Sequence, residues 1–502
     1  MSFKARRRVA TIRPRSDDRP ELFFGLVAPV GAPLSFFTSI LEGALEEKGY
    51  DVEPIHVSKF LEDSLRLDVV ETPVGSSEFQ RLFRLMERGN ALRKRAERSD
   101  VLAMMTAATI FEGRPRRAPL HHSGRAFIIR QLKHPEEVHY LRSVYGDAFH
   151  LIGLYCPAER RKDHLTVVRG MKESEAQQLI DKDEGEDAEW GQHLRDAFHL
   201  ADVFIEYRGA EDTRDVQAET SRFVDLLFGA TDISPKKDEF GMFLARSTAL
   251  RSADLSRQVG ATVLNQDGDV LAVGTNEVPS VGGGQYWEGD PQDDRDIKRG
   301  YDSNEAEQYR ILREILATIE PDWSKLASQE RERRVNDCAK QLRGTRVANL
   351  TEFGRAVHAE MAAITSAARN GIGIRGATLY CTTFPCHNCA KHIVAVGLKR
   401  VVYIEPYPKS MAKDLHSDAI DVECESNSNK VCFESFVGIA PRRFGDLFSM
   451  ITPEGKRLKR KGQQGILRKE PWDIRVRERP ITYVQREMLA AEAINILIPE
   501  SE

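Results

Sequence analysis

Four side chains in two short clusters could do chemistry together: His358 and Glu360 in His-Ala-Glu, and Cys386 and Cys389 in Pro385-Cys-His-Asn-Cys. Two thiolates and an imidazole are suitable soft and borderline donors for Zn²⁺. Three protein ligands leave the fourth tetrahedral position for water. Zinc lowers the pKa of such a water towards about 7, which makes hydroxide available at neutral pH. Glu360 follows the histidine by two positions, so on a helix it is rotated away from co-ligation and is placed to shuttle a proton. A closed structural zinc site is the competing reading, with His387, Cys381 or His392 as fourth ligand. A bare redox pair of cysteines would leave His358-x-Glu360 unexplained.

These residues need two helix starts aimed at one point. The pattern from Thr351 supplies them: a helix carrying His358-Ala-Glu360, a strand over Ala377–Cys381, a helix from Cys386, and a strand over Arg400–Ile404. Upstream, the reading is a helix over Phe240–Arg257, then a hairpin turning at Asp267-Gly268. Residues 282–345 are charged and read as an insertion. A polar break at 232–238 separates this half from an N-terminal half, with strands expected at Glu21–Val30, Tyr50–Val57, Asp100–Ile110, Ala126–Arg130, Phe149–Tyr155 and Ala201–Glu206. Strands alternating with helices predict a parallel α/β sheet. Asp181–Glu189, with six acids and one Lys, reads as a solvated face.

The chain has 502 residues, enough for two to four domains. Lys and Arg total 73 against 77 Asp and Glu, a net charge of −4, which excludes a polycation built for nucleic acid. Its longest apolar run, Val101–Phe111, is too short to span a bilayer. Met1–Arg15 is basic without an apolar core, so no secretory signal is read there. Seven cysteines, an odd number, argue against a disulfide framework and fit a cytoplasmic setting. Lys456–Arg479 is strongly basic, with ten Lys or Arg against three acids.

His358-Ala-Glu360 followed by Pro385-Cys386-x-x-Cys389 is the signature of zinc-dependent nucleobase deaminases. Residues ~240–450 resemble the cytidine and deoxycytidylate deaminase superfamily. Arg251-Ser-Ala-Asp-Leu-Ser-Arg257-Gln-Val259-Gly260-Ala261, Gly274-Thr-Asn276-Glu-Val-Pro279 and Gly354-Arg355-Ala-Val-His358 also carry the likeness. The resemblance implies a three-layer α/β/α domain with a five-stranded sheet, Zn²⁺ on His358, Cys386 and Cys389, and catalysis by Glu360. It further implies a nucleotide pocket drawn from Arg251, Val259, Gly260, Ala261, Asn276, Thr383, Pro385 and Tyr407. Lys409, Arg442 and Arg443 are candidates for further phosphates.

Phe24-Gly25-Leu26-Val27-Ala28-Pro29-Val30-Gly31-Ala32-Pro33 occupies the place of a phosphate-binding loop, and resembles P-loop small-molecule kinases without the lysine and hydroxyl of G-x-x-x-x-G-K-[ST]. Gly25–Ala32 are therefore expected to hold a regulatory nucleotide through backbone amides, without phosphoryl transfer. Met86–Asn90 and Arg160-Arg161-Lys162 are candidates to line an acidic-ligand cleft. The expected layout is a basic tail at 1–20, a kinase-like domain at 21–235, a deaminase domain at 238–450 and a basic extension at 451–502.

This layout resembles bacterial anti-phage deoxycytidylate deaminases, which act on free dCTP or dCMP. It implies a homo-oligomer, no membrane partner, and a regulatory RNA as a further partner. Two other readings stay open: a nucleic-acid editing deaminase gripping its substrate with 456–479, and a non-catalytic ATPase-type module that carries zinc.

Overall fold

The computed structural model describes residues 19–63, 77–114, 124–185, 191–209, 213–342, 345, 352–407, 409–422, 424, 429–452, 455–467, 474–476 and 482–497. The N-terminal tail to residue 18, and parts of 456–479, lie outside them. The chain is mixed α/β and forms two compact units, residues 1–234 with 438–502, and residues 235–437. No helix among the described residues is long and apolar enough to cross a membrane.

In the first unit, β1 (Leu22–Val27), β2 (Asp51–His56), β3 (Arg125–Arg130), β4 (Phe149–Tyr155) and β5 (Val203–Glu206) form a parallel sheet in the order 5-4-1-3-2. β1 is central and wholly buried, as its apolar run LFFGLV requires of a strand covered on both faces. The expected strand at Asp100–Ile110 is instead a helix, Val101–Glu112. Nearly every side of it is buried, so its apolar run shows no helical periodicity to read. Helix Thr482–Leu497 packs on it. There Arg114 bridges Glu487 at 2.6 Å and Glu21 at 2.9 Å, all three side chains being almost fully buried.

The second unit contains β6 (Gly260–Leu264), β7 (Val270–Thr275), β8 (Thr378–Thr383), β9 (Arg400–Glu405), β10 (Ile420–Asp421) and β11 (Val431–Ser435). Their order is 10-11-9-8-6-7; β6 and β7 form the expected hairpin, and β8, β9, β11 and β10 run parallel. The sixth strand, β10, is only two residues long and extends the five expected. Insertion 282–345 closes a small core of its own, with Leu312, Leu316, Trp323 and Val335 buried. Cys424 and Cys432 are bonded in a single disulfide, which the cysteine count had not suggested. A count carries no information on proximity, whereas a turn closed by Asp421 Oδ1 on the Cys424 amide brings the two together.

After β11 the chain returns to the first unit. β12 (Gly438–Ile439) pairs antiparallel with β5, and Ile439, Leu447 and Val476 enter the first unit's core. The deaminase-like unit thus ends near 437 rather than 450, and 451–502 is not a detached extension. Arg460 Nε donates to Thr231 O, and Arg475 Nη1 donates to the carbonyls of Asp446 and Ser449, so part of the basic segment is spent on the unit's own backbone.

One contact governs how the metal-cluster helix meets the sheet. A Cβ on Gly274 of β7 would lie 2.2 Å from Ala359 O and 2.3 Å from Ala363 N. Helix Ala359–Arg369 can rest on β7 only because that residue has no side chain. Gly274→Ala is therefore expected to cost about 1–3 kcal/mol, read as a lower melting midpoint, and to reduce metal retention after dialysis.

Candidate metal centre and its cavity

His358 and Cys386 occupy equivalent places. Each is the N-cap of a helix, with extended backbone (φ −60°, ψ 151° and φ −69°, ψ 165°); the second helix follows β8, and the first follows an isolated bridge between Val357 and Glu277. Cys389 lies one turn inside the second helix, Ala390 N donating back to Cys386 O. His358 Nδ1 is 3.4 Å from Cys386 Sγ and 3.4 Å from Cys389 Sγ. A tetrahedral zinc, with bonds of about 2.3 Å to sulfur and about 2.0–2.1 Å to nitrogen, would space such donors about 3.6 Å apart. The donor set and its spacing fit the ion.

Among the described residues no fourth His, Cys, Asp or Glu atom lies within the same 4.8 Å cluster. Cys381 is buried in β8 and His392 is exposed, so the closed-site alternative finds no ligand in either. His387, the other alternative, is also outside the cluster.

The three donors hold protons among themselves. The Cys389 thiol, and then His358, hold Cys386 down to about 4, while the hydrogen bond to Cys386 lifts His358 to about 9. Cys389 is pushed up by Cys386 and by burial, so one proton is shared where a metal would displace it. Glu360, in the first turn of the helix capped by His358, is buried; desolvation raises its pKa, against the pull of His358. A carboxyl group whose proton is held more tightly than usual is suited to accept a proton and return it.

A cavity of about 270 Å³ opens onto His358, Glu360 and Cys386. Val259, Asn276, Thr383 and Tyr407 line it, as expected from sequence. Gly260 and Ala261 are buried strand residues behind that wall, a Cβ on Gly260 meeting Ala245 O at 2.0 Å. Pro385 is likewise off the wall, its carbonyl accepting from Ser410 Oγ at 2.8 Å.

Arg251 is also elsewhere. Its guanidinium lies 3.6 Å from the Trp287 ring centroid and donates to Gln285 Oε1 and Tyr286 O, so it ties down the start of the insertion. Arg442 pairs with Asp202 at 2.7 Å and Arg443 with Asp446 at 3.2 Å, all four in the first unit. Lys409 is not on the wall.

The expected helix 240–257 stops at Ala249, and 251–259 becomes a shaped loop along the cavity. Three side chains hold it: Ser252 Oγ donates to Asn276 O, Glu277 Oε2 accepts from Ala253 N, and Asp254 Oδ1 accepts from the amides of Ser256 and Arg257. Asn276 accepts from Val259 N at 2.7 Å and donates to Arg257 O at 2.8 Å, so its amide shapes the loop as well as lining the space. Arg257 then extends over the Tyr407 ring, 5.1 Å from its centroid.

Sequence reasoning missed Asp254, Ser256, Asp296, Asp302, Asn304 and Arg355 on the wall. Arg355 was visible in the motif three residues before His358. Asp296, Asp302 and Asn304 come from the insertion, which carried no pattern pointing inward. Arg355 is held by Asp296 Oδ1 at 2.9 Å and Asp294 Oδ2 at 3.0 Å.

In the first unit the phosphate-loop reading needs correction. Gly25, Leu26 and Val27 are strand residues of β1, paired with β3 and β4, and only 28–33 form a loop. Its Val30 amide donates to Asp183 Oδ2 at 2.6 Å, and Ala32 N donates to Pro29 O. Asp183 Oδ1 also receives Lys133 Nζ at 2.7 Å, and Asp183 is buried, not on a solvated face. A carboxylate of the chain itself therefore sits on the loop amide that was expected to meet a phosphate. Gly31, at φ +86°, packs on the Arg161 backbone. Arg160 and Lys162 line no described cavity, whereas Met86 and Gly89 do.

Residues 235–405 match the family model described as the cytidine and deoxycytidylate deaminase zinc-binding region. Deoxycytidylate deaminase of Enterobacteria phage T2 is 54% identical over 54 residues, 11% of this chain and 29% of that protein. The mouse deoxycytidylate deaminase is 24% identical over 229 residues, 44% of this chain and 91% of its own length. Among solved structures, the dCMP deaminase of cyanophage S-TIM5 in complex with dCMP and dUMP is 19% identical, covers 41% of this chain and all of that one, and has a TM-score of 0.24, too low to argue from. The chain spans less than a third of the length of the first relatives it matches.

Purified protein is expected to carry about one zinc per chain, measured by elemental analysis. Cys386→Ala or Cys389→Ala should bring it well below that. The first unit, lacking the loop lysine and with its amide taken, is expected to release no phosphate from ATP at a kinase-like rate, as a phosphate-release assay would record.

Proposed function

We propose that the 235–437 unit hydrolytically deaminates a free deoxycytidine nucleotide, dCTP and/or dCMP, to its uracil counterpart. The observation that carries this reading is the three-donor cluster facing a cavity that also contains buried Glu360. A zinc ion on His358, Cys386 and Cys389 would supply Lewis-acid activation of water at neutral pH. Glu360 takes the proton from that water and delivers it to the ring nitrogen beside the attacked carbon. The hydroxyl bonds to that carbon; Glu360 then takes the hydroxyl's proton and passes it to the amine as the C–N bond breaks, so that water and cytosine yield uracil and ammonia. Its burial excludes bulk solvent from this transfer and keeps its affinity for the proton high.

Asn276, Val259, Thr383 and Tyr407 surround the nucleoside in this reading. Arg257, exposed at the mouth and resting on Tyr407, takes a phosphate. The matched family region and the named deoxycytidylate deaminases support this substrate class. From the likeness of the layout to anti-phage deaminases, the reaction drains the cytosine deoxynucleotide pool during infection, in a cytoplasmic homo-oligomer. Light scattering tests the assembly.

The deciding assay offers purified protein dCTP, dCMP, cytidine and single-stranded DNA, and scores the mass of the uracil product. The free nucleotides are expected to turn over, and conversion of DNA alone would favour an editing enzyme. Glu360→Ala should retain fold and zinc but lose about 10²–10⁴-fold in rate or more. Equal turnover would refute the proton-shuttle role.

A further inference from the structure

Above the closed loop of the first unit lies a cavity of about 500 Å³, within the range of small-ligand sites. It is lined by the loop, by β2 and β3 ends, and by helices Glu78–Ala96 and His164–Val168. Among the described residues, five cations reach it but only one acid, Glu78. Two of the cations are neutralised from behind: Arg93 by buried Glu137 at 2.8 Å, and Lys133 by Asp183. Arg81 and Arg169 share the single carboxylate of Glu78, at 2.8 Å and 3.4 Å.

Arg130, at the end of β3, donates to Ser35 Oγ at 3.1 Å and makes no ion pair within 4.0 Å among the described residues. Burial, with Arg169 nearby and Glu42 opposing, disfavours its charge. Folding gains nothing from holding unneutralised guanidinium charge against a half-buried wall, whereas a bound anion would repay it. The rest of the wall is apolar, with Phe36, Leu61, Leu82 and Leu85.

We propose that this cavity binds a phosphomonoester on an apolar, ring-bearing body, the chemistry of a nucleoside monophosphate. Arg130 and Arg169 take the dianion, Ser35 contributes its hydroxyl, and the apolar wall covers the ring. The site lies beside the loop, where the Val30 amide is taken by Asp183 and the Ala32 amide by Pro29, so further phosphates on the ligand lose those two donors. The inference stands apart from the deaminase reading, because none of its residues belongs to the 235–437 unit.

The test uses the full chain carrying Glu360→Ala, so that nothing is turned over, and equilibrium titration with adenosine, guanosine, cytidine and uridine 5′-monophosphates. At least one should bind below millimolar concentration, and its parent nucleoside should bind about tenfold more weakly or worse. Arg169→Ala, an exposed position, and Arg130→Ala should each weaken the monophosphate by about tenfold or more with the melting midpoint of Arg169→Ala unchanged. Arg257→Ala in the other unit should leave it unaltered. The proposal is overturned if none of the four binds, if both first-unit variants bind as the parent does, or if Arg257→Ala abolishes binding. ATP binding far more tightly than AMP would also overturn it, by placing phosphates on the loop.

Discussion

Two helix N-termini have to meet at one point, and most of the second unit is arranged around that demand. A histidine and a cysteine acting as helix caps leave their side chains pointing off the helix ends, where unpaired amides favour negative charge on sulfur. Parallel β8 and β9 deliver the second helix, and the β6–β7 hairpin provides the floor under the first. The glycine in β7 lets that floor come close enough. Loop 251–259 is then fixed over the opening by hydrogen bonds to the segment just after β7, so floor and rim are tied through one stretch of backbone.

In the first unit the loop that follows β1 has no lysine. A loop without lysine still has amides to satisfy, and a buried carboxylate from a distant helix does so, with Lys133 balancing its charge. Removing either partner of such a buried pair costs about 3–5 kcal/mol, because the other charge is left uncompensated. What remains beside it is a space with excess positive charge, set by side chains and not by backbone.

Sequence was most informative where residue type and spacing are dictated by bonding. The His358, Glu360, Cys386, Cys389 pattern could be read because few other roles demand it, and the hairpin because Asp267-Gly268 turns so readily. It was least informative where burial decides. Val101–Phe111 is apolar on every side, so neither helical nor strand periodicity could appear in it. Arg251 and Asn276 stand in motif segments, yet their donors go largely to the protein's own carbonyls, and only packing reveals that. Asp183, in a run of six acids, looked solvated until the partners 50 and 153 residues away were in place. The wall residues Asp296, Asp302 and Asn304 come from an insertion whose local sequence says nothing about what it faces.

The return of the chain at Gly438 has a consequence for the order of events during synthesis. The second unit is inserted whole into the first in chain order, so all of its strands are synthesised before β12 and well before helix Thr482–Leu497. The metal-cluster unit can therefore close while helix Thr482–Leu497 is still missing and Arg114, Glu21 and the apolar helix 101–112 are uncovered. An unfinished chain holds a competent inner unit within an open outer one. A nascent product cut short in its last sixty-odd residues would keep the inner fold and expose the outer core to aggregation and proteolysis.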